Sequence, residues 1–388
     1  MKMMRRYSFV AVVAAVSALG SAQIPDVLSA LDAGGRAMGM GGAGNITGAD
    51  TLSGYNNPAG LGYVDRTQVG VVLRNLPESK TAVTGPFAPL SQQQFSTTGS
   101  GGPLALTHAG VAMPLKDRSG RSKGTVSLGI TLGGFLHDVR TSNNLSSGAL
   151  TVRNYSELTK IRTDVVTLSF GKTNEAQNFN WGVGVMYATT GILDRRRGQL
   201  FDGSNNVVGD VDSDVDETGT GFGVVAGVQY VPRNQPNSIF GLSFHSEINL
   251  SGNSNSQDLY DKVPARISAG FATRRDGLRG GRDYLVLGAE VEHLFSGGPS
   301  PFGGTRDAQT RFGAGLEYTY NAQFGRVPIR VGYSWNPSAG DHFDDRSGLV
   351  YGIGYRPNGS DLSLDLNWGD PDTGGRDFSF GVSYKVKR

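Results

Sequence analysis

The stretch Val327–Trp335, VPIRVGYSW, decides the fold. Its residues alternate between an apolar set and a small or polar set, and that period of two is typical of a β-strand whose two faces differ. The apolar set is Val327, Ile329, Val331, Tyr333 and Trp335, and the other set is Pro328, Arg330, Gly332 and Ser334. The same alternation recurs at 222–230, 312–320 and 362–368.

Two architectures explain such strands. In a soluble sandwich the apolar face points into a core, whereas in a membrane barrel it faces lipid and the other face lines the lumen. The apolar rows here often end in Tyr, Trp or Phe, as an aromatic girdle does. The opposite face is rich in glycine and carries charges, for which we predict an interior charge network of Arg266, Glu290, Arg311, Glu317 and Arg330. The barrel is therefore favoured.

The number and length of the strands support a barrel. Fourteen stretches show the pattern, and most are close to the ~9–11 residues that cross a bilayer at a tilt. They are 66–75, 104–115, 124–134, 161–171, 180–189, 219–231, 238–249, 264–275, 283–295, 309–320, 327–336, 347–356, 361–369 and 377–387. The sequence predicts an all-β fold, a 14-stranded antiparallel transmembrane β-barrel over residues 63–388.

The connections alternate in length, which a sandwich does not require. Short turns such as RPNGSD follow the even strands. Long connections follow the odd strands, at 76–103, 135–160, 190–218, 250–263, 296–308 and 337–346. Short periplasmic turns and long external loops are the rule for outer-membrane barrels.

The N-terminus indicates export. Lys2, Arg5 and Arg6 precede the apolar stretch 9–19, which is too short to span a bilayer, and small residues follow at Gly20-Ser21-Ala22. We interpret residues 1–22 as a cleaved signal peptide, with a retained membrane anchor as the alternative. The expected location is the cell outer membrane.

Composition excludes several classes of function. The 388 residues include 58 glycines and no cysteine, and the formal net charge is +2. The absence of cysteine excludes disulfides, thiolate metal sites and thiol catalysis. The small net charge gives no electrostatic reason to expect nucleic acid as a partner. We expect no catalytic residue, metal or cofactor.

The stretch Gly34–Leu61, GGRAMGMGGAGNITGADTLSGYNNPAGL, contains a match to G-x-G-x-x-G at Gly39–Gly44. A dinucleotide site needs that motif between a strand and a helix, within a βαβ unit. Here the neighbours are a signal peptide and a predicted barrel, so the motif does not indicate a nucleotide site.

The same stretch resembles the N-terminal region of the FadL-type outer-membrane transporter superfamily, which includes PorV-like proteins. The resemblance rests on the residues 35–43, GRAMGMGGA, on Ala49-Asp50, and on the residues 57–61, NPAGL. It implies that residues 23–62 fold into the barrel lumen as a plug, or hatch. The gate residues implied in this way are Arg36, Met38, Met40, Asn57, Pro58, Ala59, Gly60 and Leu61.

The resemblance also implies a function. It predicts a monomeric channel through which small hydrophobic molecules, such as long-chain fatty acids or hydrocarbons, diffuse passively, surrounded by outer-membrane lipids and lipopolysaccharide. The alternative is a PorV-like barrel that holds cargo for secretion-system proteins.

Other motifs are weaker. The acidic residues Asp210, Asp212, Asp214 and Asp216 alternate in a predicted external loop, which is either a weak divalent-ion site or solvated. The run 195–197 consists of three arginines that either meet lipopolysaccharide phosphates or are solvated. His245 and Glu247 share the predicted lumen face, and without a nucleophile they indicate lumen polarity rather than a hydrolase.

Overall fold

The computed structural model describes residues 35–84, 94–141, 145–147, 150–252, 262–299, 305–340, 345, 347–371 and 377–386. The predicted signal peptide, residues 1–22, and the first part of the predicted plug, residues 23–34, lie outside the described residues. None of the helices within these ranges is long and apolar enough to cross a membrane.

Fourteen long strands form the wall of the molecule. They are β1 (Gln68–Thr84), β2 (Gln94–Lys116), β3 (Ser122–Thr141), β4 (Leu150–Thr173), β5 (Phe179–Phe201), β6 (Val207–Tyr230), β7 (Ser238–His245), β8 (Arg266–Gly277), β9 (Asp283–Leu294), β10 (Gln309–Ala322), β11 (Gly325–Trp335), β12 (Gly348–Pro357), β13 (Leu362–Pro371) and β14 (Asp377–Lys385). Each strand is hydrogen-bonded to its neighbours in the chain, and β1 also pairs antiparallel with β14, which closes the sheet. The prediction of a 14-stranded antiparallel barrel is confirmed.

The two faces of the wall differ as the sequence predicts. On β11, Ile329, Tyr333 and Trp335 are exposed on the outside, while Arg330 is only 2% exposed on the inside. The outer apolar residues bury no core, so their exposure is explained by lipid around the barrel. The inner face holds buried threonine, serine and asparagine side chains together with glycines.

The first six strands are longer than predicted, and the external loops there are correspondingly shorter. These strands have 17, 23, 20, 24, 23 and 24 residues, about twice what crosses a bilayer. Much of the predicted loops 76–103, 135–160 and 190–218 is therefore paired strand, including a short parallel pairing of 78–83 with 136–141. The alternation of apolar and polar residues is weaker in these extensions, because water lies on both faces of the sheet there and no apolar row is needed.

The strand β7 ends earlier than predicted. It stops at His245 instead of 249, and the following residues turn toward the lumen, where Ile248 is buried. Two short strands, Ile248–Asn249 and Ser251–Gly252, pair with Lys262–Val263 and with β6 respectively. Three further short strands are Leu145–Ser147, Gly298–Pro299 and Thr305–Arg306.

The short helical elements lie mostly before the barrel. They are two 3₁₀ helices, Gly35–Met40 and Pro58–Tyr63, and one α-helical turn, Ser53–Asn56; a second turn, Leu278–Gly281, joins β8 to β9. We call residues 35–64 the inner segment. Since Gln68 pairs with Lys385 at the end of the barrel that carries the short turns, the chain passes into the lumen from that end.

Candidate functional site in the barrel lumen

The inner segment lies against the lumen glycines of the wall. A Cβ added at Gly332 on β11 would be 2.3 Å from the carbonyl carbon of Met40, and one at Gly182 on β5 would be 2.3 Å from that of Pro58. Only glycine allows two backbones to approach so closely. The wall glycines therefore serve close packing with this segment, as do Gly39 and Gly41 of the motif, whereas Gly42 and Gly44 have no neighbour within 4 Å and allow positive φ angles of 93° and 111°.

The residues of the NPAGL motif fix the second half of the inner segment. The Asn57 side-chain oxygen accepts a hydrogen bond from the Ala59 amide (3.1 Å), and its amide group donates to the carbonyl of Ile46 (2.8 Å). The same amide group donates to the carbonyl of Val228 on β6 (3.3 Å). Pro58 occupies the first turn of a 3₁₀ helix, where its missing N–H costs nothing. The motif thus joins two parts of the segment to the wall.

The rest of the predicted gate residues are also buried in this packing. Met40 and Leu61 are 1% and 0% exposed, and Met38 and Ala59 are buried as well. Gly60 lies so close to Ser53 that a Cβ there would be 2.9 Å from the hydroxyl oxygen. All of them position the segment, and Arg36 alone among them carries charge.

A buried charge cluster joins Arg36 to the wall. The Glu317 carboxylate accepts hydrogen bonds from Nε of Arg36 and from Nε of Arg330, both at 2.7 Å. Arg330 also lies 2.7 Å from Asp365 on β13. The positive charges of the two arginines balance the negative charges of the two carboxylates, and this offsets the cost of burying charge. Of the five residues predicted for a charge network, the structure brings Glu317 and Arg330 together here.

A second cluster lies on the side of the lumen toward the long connections. Arg266 and Arg311 reach the same Glu292 carboxylate at 3.2 and 3.5 Å. Arg266 also contacts Nε2 of His245 at 3.2 Å. Its guanidinium lies over the Tyr55 ring, 4.8 Å from the centroid, where a cation–π contact forms.

Glu290 has a different role from the other predicted charges. Its carboxylate accepts hydrogen bonds from the backbone amides of Gly44 (3.2 Å) and Ile46 (3.1 Å). It therefore holds the middle of the inner segment against the wall.

An apolar cluster lies beside Arg266. Its buried side chains come from the inner segment, from three adjacent strands and from the residues after β7: Tyr55, Val165, Met186, Ala188, Val225 and Ile248, with Leu250 and Val263 packed against them. Arg266 and His245 border the small cavity there. The cluster is thus closely packed, around a cavity of about 20 Å³, and has one cationic end.

Two larger cavities flank the inner segment. The outer one, about 100 Å³, opens toward the long connections and is bordered by Arg266, Arg311 and Glu292. The inner one, about 550 Å³, lies at the short-turn end. Burial raises the pKa of the Asp50 carboxyl at the inner cavity above its ordinary value, although hydrogen bonds from Ser53 act against this.

The same two residues border both cavities. Among the described residues, Asn45 and Asn56 are the ones common to the two linings, and Nδ2 of Asn56 donates to Oδ1 of Asn45 at 3.2 Å. This side-chain pair therefore lies between the two cavities.

The weaker motifs lie away from the lumen. The residues Asp210, Asp212, Asp214 and Asp216 were predicted in a loop, which is wrong: they are on the extension of β6, with exposed side chains. Arg195 pairs with Asp214 at 3.3 Å across the strands. Within the described ranges no group of three or more His, Asp or Glu could hold a metal ion. Glu247 binds Lys262 at 2.9 Å, apart from His245.

Sequence reasoning missed several residues of the site. Glu292 follows Glu290 by two residues on the same face, so the alternation alone could have found it. Asp365 could have been found in the same way, because it faces the lumen between Leu364 and Leu366. Nothing in the sequence marks Asn45 and Asn56, because their meeting depends on how the inner segment folds.

No family model matches the sequence, and no curated protein matches it either. Solved structures do resemble its fold. A FadL homologue of Pseudomonas aeruginosa is 16% identical, with 90% of this chain and 98% of that chain covered and a TM-score of 0.53. The toluene transporter TodX of Pseudomonas putida is 12% identical, with 90% and 96% covered and a TM-score of 0.57. The chain thus has the fold of FadL-type outer-membrane transporters.

Proposed function

We propose that this protein is an outer-membrane channel for small hydrophobic molecules, which cross it by passive diffusion, and that the inner segment is its gate. The observation that carries this proposal is the division of the lumen into two cavities that meet at Asn45 and Asn56. An inner segment that served only to support the barrel would not require a cavity on each side of it.

The apolar cluster supports the hydrophobic class of solute. A ligand of that class gains about 25 cal/mol for each Å² of apolar surface that it removes from water. The side chains of the cluster pack against one another around a cavity of only about 20 Å³, so a ligand reaches them when Tyr55 of the inner segment moves away. Such an apolar surface in a polar lumen suits a small hydrophobic solute better than the cargo protein of the PorV-like alternative. The resemblance in fold to a toluene transporter agrees with this class.

Opening the gate requires the Asn45–Asn56 hydrogen bond to break. Such a bond contributes about 0.5–1.5 kcal/mol, so its removal should raise the open population by about 2- to 10-fold. We therefore expect Asn45→Ala to raise the uptake of labelled toluene by that factor. The measurement uses cells that lack other channels for hydrophobic compounds.

A matched control exists in a short turn. Asn174 and Asn178 form a similar side-chain hydrogen bond at 2.8 Å outside the lumen, so Asn178→Ala should leave uptake unchanged. Heat-modifiable migration in electrophoresis shows that each variant has assembled as a barrel.

Cross-linking tests the gate in the opposite direction. The chain has no cysteine, so Asn45→Cys with Asn56→Cys provides the two thiols for a cleavable thiol-specific linker. Uptake should fall when the two positions are linked and return when the linker is cleaved. Equal uptake in the linked and cleaved states would refute the gate, and uptake equal to that of cells without the protein would refute the channel.

A further inference from the structure

The inner cavity carries more positive than negative side chains. It is bordered by five basic and three acidic residues, namely Arg36, Arg66, Arg326, Arg356, Lys385, Asp50, Asp361 and Asp365. An excess of cations around a cavity attracts anions, because the low-dielectric wall focuses their field.

Three of these cations have carboxylate partners. Arg36 binds Glu317 at 2.7 Å, and Arg66 binds Asp361 at 2.7 Å. Lys385 lies 3.7 Å from Asp65. Of the three acids, Asp361 is therefore taken by Arg66, Asp365 binds Arg330, and Asp50 accepts a hydrogen bond from the Ser53 amide.

Arg326 and Arg356 have no carboxylate in contact. Neither side chain forms an ion pair within 4.0 Å or a hydrogen bond with the residues that the structure describes, and the Glu317 carboxylate interacts with Arg356 only at longer range. Both point to the lumen side, because Arg326 has the same strand parity as buried Arg330, and Arg356 the same parity as buried Gly352 and Gly354. Their charges are thus presented to the cavity.

The two arginines are also direct neighbours. In the register of β11 with β12, Arg326 stands opposite Arg356. Like charges directly opposite each other on adjacent strands repel and destabilise a sheet. An anion placed between them relieves this repulsion, and guanidinium groups bind carboxylate and phosphate oxygens in a bidentate manner.

We propose that Arg326 and Arg356 form an oxyanion-binding site at the short-turn end of the lumen. It takes a carboxylate or a phosphate, either as a free ion or as the headgroup of a small amphiphile. The cavity of about 550 Å³ has room for an apolar tail, and Leu52, Ala37 and Leu362 offer it apolar surface. The anion site does not depend on the gate proposed above, since both arginines are on wall strands.

The test is calorimetric titration of the full protein in a non-ionic detergent with inorganic phosphate, octanoate and, as the uncharged probe, 1-octanol. A hydrogen bond to a charged group contributes about 1.5–3 kcal/mol, so Arg326→Gln with Arg356→Gln should weaken anion binding by roughly tenfold or more. Arg118→Gln with Arg121→Gln removes the same charge from the turn after β2, outside the cavity, and should leave binding unchanged.

The three probes identify the source of the anion. Binding of phosphate that octanoate displaces supports a site for the oxyanion itself, and binding of octanoate without phosphate supports an amphiphile headgroup. Equal affinities of 1-octanol and octanoate would overturn the proposal, as would unchanged anion binding in the double variant or no binding of either anion to the natural protein.

A stability measurement separates binding from a structural role. Because the two arginines repel each other in the free protein, the double variant should unfold at the same urea concentration as the natural protein or at a higher one. A lower midpoint would mean that the arginines hold the wall together, and it would overturn the proposal. Neither the titration nor the unfolding measurement uses channel activity. A negative result would therefore refute the oxyanion site without refuting the proposed channel.

Discussion

Replacement of Glu317 by glutamine tests the buried charge cluster most directly. The side chains of Glu317 and Arg330 are 2% and 0% exposed, and both Arg36 and Arg330 lie 2.7 Å from the Glu317 carboxylate. Glu317→Gln leaves two arginines facing Asp365 alone, so a buried positive charge is no longer balanced. Breaking a buried pair in this way costs about 3–5 kcal/mol, and we expect a loss of that size in the free energy of unfolding.

Replacement of the two arginines of the cluster should have different effects on the free energy of unfolding. The Arg36 side chain is 33% exposed, so water screens its charge, and Arg36→Met should cost about 1 kcal/mol or less. Arg330→Met should cost as much as Glu317→Gln, because it leaves two carboxylates facing Arg36 alone. The free energy of unfolding of each of the three variants is measured by urea unfolding of the purified barrel in lipid vesicles, followed by tryptophan fluorescence.

An exposed pair provides the control. Arg195 lies 3.3 Å from Asp214 on the extensions of β5 and β6, and both side chains are about half exposed. Arg195→Met should change the free energy of unfolding by about 0–1 kcal/mol. If Glu317→Gln and Arg195→Met cost the same within 0.5 kcal/mol, the reasoning from burial is wrong.

Three further perturbations test the packing of the lumen and the orientation of the wall. Gly332→Ala should displace the inner segment and increase its cleavage by added protease, because the new Cβ meets backbone, whereas Gly191→Ala has its nearest neighbour at 4.0 Å and should not. Leu316→Arg faces lipid near the middle of β10 and should cost about 2–4 kcal/mol in urea unfolding, against about 0–1 kcal/mol for Phe324→Arg in the adjoining turn. Asn57→Ala removes a hydrogen bond to buried Ile46 and should cost about 1–3 kcal/mol in the same assay.

The alternation of side chains predicted the wall well where lipid surrounds it. Each of the fourteen predicted stretches overlaps one of the fourteen long strands, and Arg330 and Glu317 lie on the predicted lumen side. Lipid outside and a polar lumen inside force opposite requirements on successive residues, so the pattern is strict. In the extensions of β5 and β6, Arg195 and Asp214 both meet water, so the pattern did not predict strand there.

Partners across the lumen could be predicted only in part. Glu317 and Arg330 are opposite each other on adjacent strands, and a short turn between β10 and β11 sets that register. Arg36 is 281 residues from Glu317 in the chain, and no local rule connects them. The resemblance of the inner segment to a known plug indicated that it enters the lumen, but not which wall residues it would meet.

The sequence by itself determined the number of strands, the face that meets lipid and the positions of the lumen glycines, because each of these follows from residues close together in the chain. The tertiary structure alone decided that Asn45 meets Asn56 between two cavities, and that Arg326 and Arg356 share a cavity with no carboxylate of the described residues in contact. The physical reason is closure: bending the sheet into a barrel brings strands distant in the chain around one inner segment. Which charges are then balanced, and which space stays empty, depends on how that segment fills the lumen.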